Sequence, residues 1–318
     1  MNTVVSVAGD APRLGVGDPG FAEQSVLALF VGGTGESSAD DRRDEVSGLL
    51  ARVADELDER FVTRWIGYPA SYGPAPRLDG ISFTDSVAIG VDRLRAAIRA
   101  SVQPLVLVGY SQGAVVIRTA LSEMSAVCDP ALSGVLAVGL VADPHQPPGV
   151  VDGCAGWGVA GPGPRLPEDV PIRWVGASDD VICNADADSF VRDIADLTAA
   201  ISFAAPRAWL VDCWRRLRAN SFQNAGRTSL RPSQWRRDLA RIANAWAAVA
   251  CYLPASIVLG GLRIRNRRGG RHTSYVDEPY RSGSVTDPES SGCVVVARWL
   301  QVQVTFAGCG LWEAARVA

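Results

Sequence analysis

The residues best equipped for chemistry lie in Leu105-Val-Leu-Val-Gly-Tyr-Ser-Gln-Gly-Ala-Val-Val-Ile-Arg118, which contains Gly109-x-Ser111-x-Gly113. The motif stands directly after an apolar run and directly before a helical pattern. On such a tight strand-to-helix turn a serine hydroxyl projects above the sheet edge, free to act as a nucleophile. The two glycines keep clear the space where side chains would strike the neighbouring strand and helix. It is these flanking elements that distinguish the motif from a glycine-rich turn with a capping serine.

A serine nucleophile needs a base, and the chain has two histidines. On a turn of this kind the partners follow the serine in the order acid, then histidine. His145 comes only 34 positions after Ser111, in Ala142-Asp-Pro-His-Gln-Pro-Pro148, with no suitable acid elbow between them. It reads as a loop residue at a pocket rim. His272, in Gly269-Gly-Arg-His-Thr-Ser-Tyr275, comes late enough and is the expected base. The acid should follow a late strand, and Ile172-Arg-Trp-Val-Gly-Ala-Ser-Asp-Asp-Val-Ile-Cys183 supplies one with Asp179 and Asp180 behind it. One carboxylate would hold the histidine ring and fix its tautomer, and the other would cap the turn. Spacing alone leaves both open. Developing negative charge needs two donors. The backbone N–H of Gln112 is one, and Thr34, in Phe30-Val-Gly-Gly-Thr-Gly-Glu36, is placed to give its N–H and hydroxyl. That glycine-rich turn is no phosphate loop, because no Lys-Ser/Thr follows it.

These residues have to be positioned by something. Val26–Val31, Val62–Ile66, Leu105–Val108, Val135–Val141 and Ile172–Val175 read as buried strands. Arg42–Arg60, with Val46, Leu49, Leu50, Val53 and Leu57, and Asp85–Ala100 carry helical spacing between them. The alternation predicts an α/β fold, three layers with a mostly parallel sheet covered on both faces. From about 186 to 260 the pattern becomes helical throughout. Phe190, Ile194, Leu197 and Ile201, then Leu210, Trp214 and Leu217, then Trp235, Leu239, Ile242 and Trp246 recur at helical spacing. This predicts a helical insertion within a domain running from 25 to 318, its aromatic residues packed as core. Cys293–Phe306 reads as a helix, and residues 1–24, rich in Gly and Pro, as a loose leader.

With 31 basic residues, all of them Arg, against 34 acidic ones, the net charge of −3 is too balanced for a nucleic-acid or membrane-surface reader. No apolar run is long enough for a spanning helix, and the N-terminal stretch lacks the pattern of a secretory signal. The expectation is therefore synthesis and folding in a cytoplasm, as a monomer. Seven cysteines, at 128, 154, 183, 213, 251, 293 and 309, form no CxxC pair. They predict neither a metal site nor a disulfide framework, but reduced, mostly buried thiols. No metal or cofactor is required.

Gly109-Tyr-Ser-Gln-Gly-Ala114 resembles the cutinase-like branch of the α/β hydrolases, and Asp180-Val-Ile-Cys183 is similar to the Asp-x-x-Cys that carries the acid there. That likeness selects Asp180. In fungal cutinases the cysteine is disulfide-bonded to a near upstream partner; here the nearest upstream is Cys154. Trp65-Ile-Gly-Tyr-Pro-Ala-Ser71, Asp143-Pro with Gly158-Val-Ala-Gly-Pro162, and His272-Thr-Ser-Tyr275 move the resemblance toward the mycobacteriophage lysin B esterases. So does the helical stretch between acid and histidine. The resemblance implies hydrolysis of the ester joining mycolic acids to arabinogalactan during phage lysis, by an enzyme held in the host cytoplasm until holins open the inner membrane. It further implies an apolar groove, shaped by the helical insertion, for a long branched acyl chain.

Overall fold

A computed structural model describes residues 25–308 apart from 204, 225–234, 253–255, 260–261 and 282. The expected leader and Cys309 lie outside the described residues. Five strands form one parallel sheet: β1 (Val26–Val31), β2 (Phe61–Trp65), β3 (Leu105–Tyr110), β4 (Val135–Val141) and β5 (Ile172–Val175), in the order β2-β1-β3-β4-β5. Side chains alternate across β1. Leu27, Leu29 and Val31 face one core, while Val26, Ala28 and Phe30 face the other. A strand buried on both faces has to be apolar at every position, which explains its unbroken run.

On one face pack α2 (Phe83–Ala100) and α3 (Gln112–Ala126), through Val87, Val91, Leu94, Ile98, Ile117 and Leu121. Ser82 caps α2, its hydroxyl accepting from Asp85 N–H at 3.1 Å. The other face is covered by α1 (Ala51–Ala54) and α7 (Gly292–Gly308), the latter burying Cys293, Val296, Ala297, Leu300 and Val304. The result is the three-layer α/β architecture.

The helix expected over Arg42–Arg60 is a correction. Only a short 3-10 turn at Gly48–Leu50 and the single turn of α1 form there. Gly48 sits at φ +66°, and a Cβ on it would fall 2.3 Å from the Glu36 carboxylate. That carboxylate accepts the Leu49 N–H at 2.7 Å, so a long-range acceptor takes a donor that the helix would have used. The apolar residues still reach the core, but from a loop.

Between β5 and α7 lie α4 (Phe190–Thr198), α5 (Pro206–Ala219), α6 (Trp235–Tyr252) and a hairpin of β6 (Ser256–Leu259) and β7 (Leu262–Arg265). The aromatic-rich stripes of α5 and α6 were expected to be core, and this too is corrected. Leu210, Trp214, Leu217, Leu239, Ile242 and Trp246 are all exposed. Instead α6 turns Arg241 and Ala245 inward. Arg241 reaches carboxylate oxygens of Asp188 and Asp193 at 3.2 Å each and Asp238 at 3.5 Å. Satisfying that guanidinium fixes which side of α6 faces the body, and the apolar stripe is left outside.

Candidate active site

Strand order reverses at β1, whose successor β2 lies on one side and β3 on the other. The carboxyl ends of β1 and β3 therefore open a crevice, the usual place for a ligand in an open parallel sheet. Ser111 stands at the end of β3, immediately before α3. Its φ of +53° and ψ of −116° put it in a region that non-glycine residues rarely occupy. A Cβ on Gly113 would come within 2.0 Å of Val31 O, and one on Gly109 within 2.9 Å of the Ala114 backbone. Both glycines are thus sterically required. Gly33, in the loop after β1, leaves only 3.3 Å between a hypothetical Cβ and Ser111 Cβ, so this loop lies directly against the serine.

His272 arrives on a 3-10 turn, Arg271–Thr273, after the β6–β7 hairpin. Its Nε2 lies 2.9 Å from Ser111 Oγ and its Nδ1 2.9 Å from Asp180 Oδ2. The ring stands beside two others, Tyr110 at 5.0 Å and Tyr252 at 5.1 Å between centroids. Tyr110 also donates its hydroxyl to the His272 carbonyl at 2.9 Å. Asp180 is fully buried, whereas the Asp179 side chain is 52% exposed and 3.7 Å from Arg271. Burial pushes the Asp180 carboxyl up, but the imidazole, the Tyr275 hydroxyl at 2.7 Å and the Ile182 N–H at 3.0 Å outweigh it and hold it below the usual range. Burial drives the Tyr275 hydroxyl well above its ordinary value, so it remains a donor.

Gln112, as the first residue of α3, has a backbone N–H with no acceptor inside the helix. Its buried side chain is occupied elsewhere, donating to Ser71 O at 2.9 Å and accepting from the Thr34 hydroxyl at 3.3 Å. With the Thr34 hydroxyl so engaged, its backbone N–H is the group left for a developing oxyanion. Glu36 shapes the same loop by accepting from Gly33 N–H at 2.7 Å, and Tyr68 donates to Gly32 O at 2.7 Å. Burial raises the Glu36 carboxyl against the pull of those backbone donors.

His145 stays apart from this constellation. Its Nδ1 is 2.9 Å from Gly161 O, and burial lowers its basicity. Asp143 is buried against Arg118 at 2.6 Å. Cys154 and Cys183 are both free thiols, and the Cys183 side chain lowers the Cys154 thiol from its usual value. Among the described residues no His, Cys, Asp and Glu cluster could hold a metal ion. A cleft of about 440 Å³ separates the acid loop from α6, lined by Asp179, Asp186, Asp188, Arg237 and Arg241 among others. Val181, Ala240, Ala247, Ala248 and Cys251 line the same cleft.

Reading residues alone missed Tyr275, Tyr110, Tyr252 and Glu36. Tyr275 follows His272 by three positions and Tyr110 precedes Ser111, so their neighbourhood was visible while their partners were not. Tyr252 and Glu36 carried no such signal.

Residues 61–159, which include the serine turn, match the PE-PPE domain. No curated protein matches the chain. Among solved structures it is similar to a cutinase-like protein from Cryptococcus sp., at 17% identity over 50% of this chain and 79% of that one, with a TM-score of 0.36. An acetylxylan esterase matches at 18% identity over 60% and 98%, TM-score 0.37. Trichoderma reesei cutinase in complex with a phosphonate inhibitor matches at 22% over 59% and 75%, TM-score 0.34. The serine turn stands at the switch point of the parallel sheet in a three-layer α/β fold.

Proposed function

We propose that the chain is a serine carboxylic-ester hydrolase working through an acyl-enzyme. The observation that carries this is the unbroken line from Ser111 Oγ through His272 to Asp180, with both hydrogen bonds at 2.9 Å. His272 Nε2 takes the Ser111 proton as Oγ attacks the ester carbonyl, while Asp180 holds the Nδ1–H and stabilises the imidazolium. The backbone N–H groups of Gln112 and Thr34 receive the oxyanion, and His272 returns the proton to the departing alcohol. Water, deprotonated by the same ring, then releases the acid and restores the serine.

The substrate we infer is a lipid ester, in particular the ester of mycolic acid with arabinogalactan, cleaved at the cell envelope during phage lysis. The likeness of Trp65–Ser71 to the lysin B esterases supports this, and here that motif packs behind the oxyanion loop. Tyr68 reaches Gly32 O, and Ser71 O receives the Gln112 side chain. The PE-PPE match over residues 61–159 favours a second reading, a lipase of simpler esters.

Hydrolysis of p-nitrophenyl butyrate tests the chemistry. Ser111→Ala and His272→Ala are each expected to lose at least about 10³-fold in kcat/KM, and His145→Ala to keep most of it. Equal slow rates from Ser111→Ala and the parent would refute the assignment. Mycolic acid freed from mycolyl-arabinogalactan decides between the two substrates.

A further inference from the structure

The outward sides of α5 and α6 are the least expected surface of the molecule. On α5, Leu210, Trp214 and Leu217 fall at i, i+4 and i+7 and face solvent beside Val211, while Trp209 and Cys213 are turned toward α4, each donating to Leu197 O. On α6, Leu239, Ile242 and Trp246 fall at i, i+3 and i+7, opposite the buried Arg241 and Ala245. Trp214 is 65% exposed and Trp246 71%. Both helices are amphipathic with the apolar side out, and a protein surrounded only by water gains nothing from that arrangement.

The charge of the same region says what covers it. The helices α5 and α6 carry seven arginines and two aspartates, a net +5 in a chain whose overall charge is −3. Arg207, Arg215, Arg218 and Arg236 are exposed, and none has a carboxylate in ion-pair reach among the described residues. Helical projection places Arg207 and Arg218 together on one side of the apolar arc of α5, beside Trp214, with Arg236 at the edge of that on α6. Exposed Trp and Leu flanked by unpaired Arg is the composition of a helix lying in a lipid headgroup layer. A second copy fits poorly, because self-association would press one arginine-rich surface against another.

We propose that the outer faces of α5 and α6 dock on a lipid surface bearing anionic headgroups. No helix among the described residues is long and apolar enough to cross a membrane, so the helices lie in the interface. The surface is continuous with the candidate site, since α6 ends at Tyr252, whose ring stands 5.1 Å from His272. Docking there would bring an esterified lipid to the imidazole side of the crevice. This last step alone rests on the esterase reading; the docking does not.

The experiment uses the full chain carrying Ser111→Ala, so that no lipid is hydrolysed, in co-sedimentation with large unilamellar vesicles. Vesicles of phosphatidylcholine with phosphatidylglycerol are expected to bind it, and vesicles of phosphatidylcholine alone at least tenfold less. Raising salt from about 0.1 to 0.5 M should release most of it, as the screening length falls. Adding Trp214→Ser and Trp246→Ser, both exposed and checked for unchanged circular dichroism, should weaken binding at least tenfold. Failure to bind anionic vesicles would overturn the proposal. So would binding that ignores headgroup charge or survives loss of both tryptophans, or a concentration-dependent dimer that buries them. Activity on soluble p-nitrophenyl butyrate reads the esterase assignment separately.

Discussion

Asp180 Oδ2 accepts from two donors at once, the His272 ring and the Tyr275 hydroxyl, and its depressed carboxyl depends on both. Removing the second makes a specific change. Tyr275→Phe is expected to lower kcat about three- to tenfold with KM little altered, because the imidazole loses part of the orientation of its carboxylate. The same hydroxyl accepts the Ala177 N–H at 3.1 Å, so the variant also leaves a half-buried donor without that acceptor. For pH, a carboxyl held below its unfolded value gives stability that is complete above that value and lost as pH falls through the folded one. Raising the folded value toward the ordinary range shrinks that contribution, so the acid-unfolding midpoint of Tyr275→Phe, followed by circular dichroism, should move to higher pH. An unchanged midpoint together with unchanged kcat would show that Tyr275 does not support Asp180. At this scale the sequence exposes the serine through its two glycines and the histidine through its place in the chain. It leaves Asp179 and Asp180 indistinguishable, because adjacent residues of the same type differ only in what buries them. It hides Glu36 and Tyr252 because their partners are distant in the chain.

Elements were legible wherever burial on both faces forces a continuous apolar run. All five expected strands are found, with β2 and β3 shifted at their ends by one or two residues. Helices covering the sheet were legible where spacing and capping agree, as in α2 with Ser82. They failed where a distant group captures the backbone, as Glu36 captures Leu49. Periodicity found α5 and α6 but not their orientation, because a stripe at helical spacing does not say whether protein covers it. The serine turn itself is set by backbone contact between elements, and this gives a second measurable consequence. A Cβ at position 113 meets the Val31 carbonyl at 2.0 Å, backbone against backbone, where no flexible side chain can give way. Gly113→Ala therefore requires α3 and β1 to separate. The expected cost is about 2 kcal/mol or more, read as a lowered midpoint in urea at unchanged m-value, with esterase activity falling as the oxyanion donors move apart. Stability equal to the parent would mean that α3 approaches β1 less closely than described.

Across the whole molecule, apolar packing is distributed unevenly. Two extended clusters sandwich the sheet, one against α2 and α3, the other against α1 and α7. The helical stretch after β5 meets a third and far smaller cluster, whose buried members Val159, Val181 and Ala185 lie in loops, with Val191 and Ala195 of α4 and Ala248 of α6 packed against them. No residue of α5 is buried. Ion pairs around Arg241 tie α6 to the body, yet few apolar side chains leave water there. Regions with little buried apolar surface open at lower free energy than the core they border. The cysteines are distributed so as to report this. Cys128 is exposed, Cys213 and Cys251 are half-buried on α5 and α6, and Cys183 and Cys293 are buried in the body. Burial lifts the Cys293 thiol to about 12 and the Cys183 thiol well above its ordinary value, so neither is a nucleophile in the native state. With iodoacetamide near pH 8 and mass-spectrometric readout, Cys128 should react without denaturant. Cys213 and Cys251 should become reactive at urea concentrations that leave Cys183 and Cys293 protected, and these last two should open only with loss of the sheet. A single transition shared by all of them would mean that the ion pairs of α6 couple the helices to the sheet as strongly as the core couples the sheet to itself.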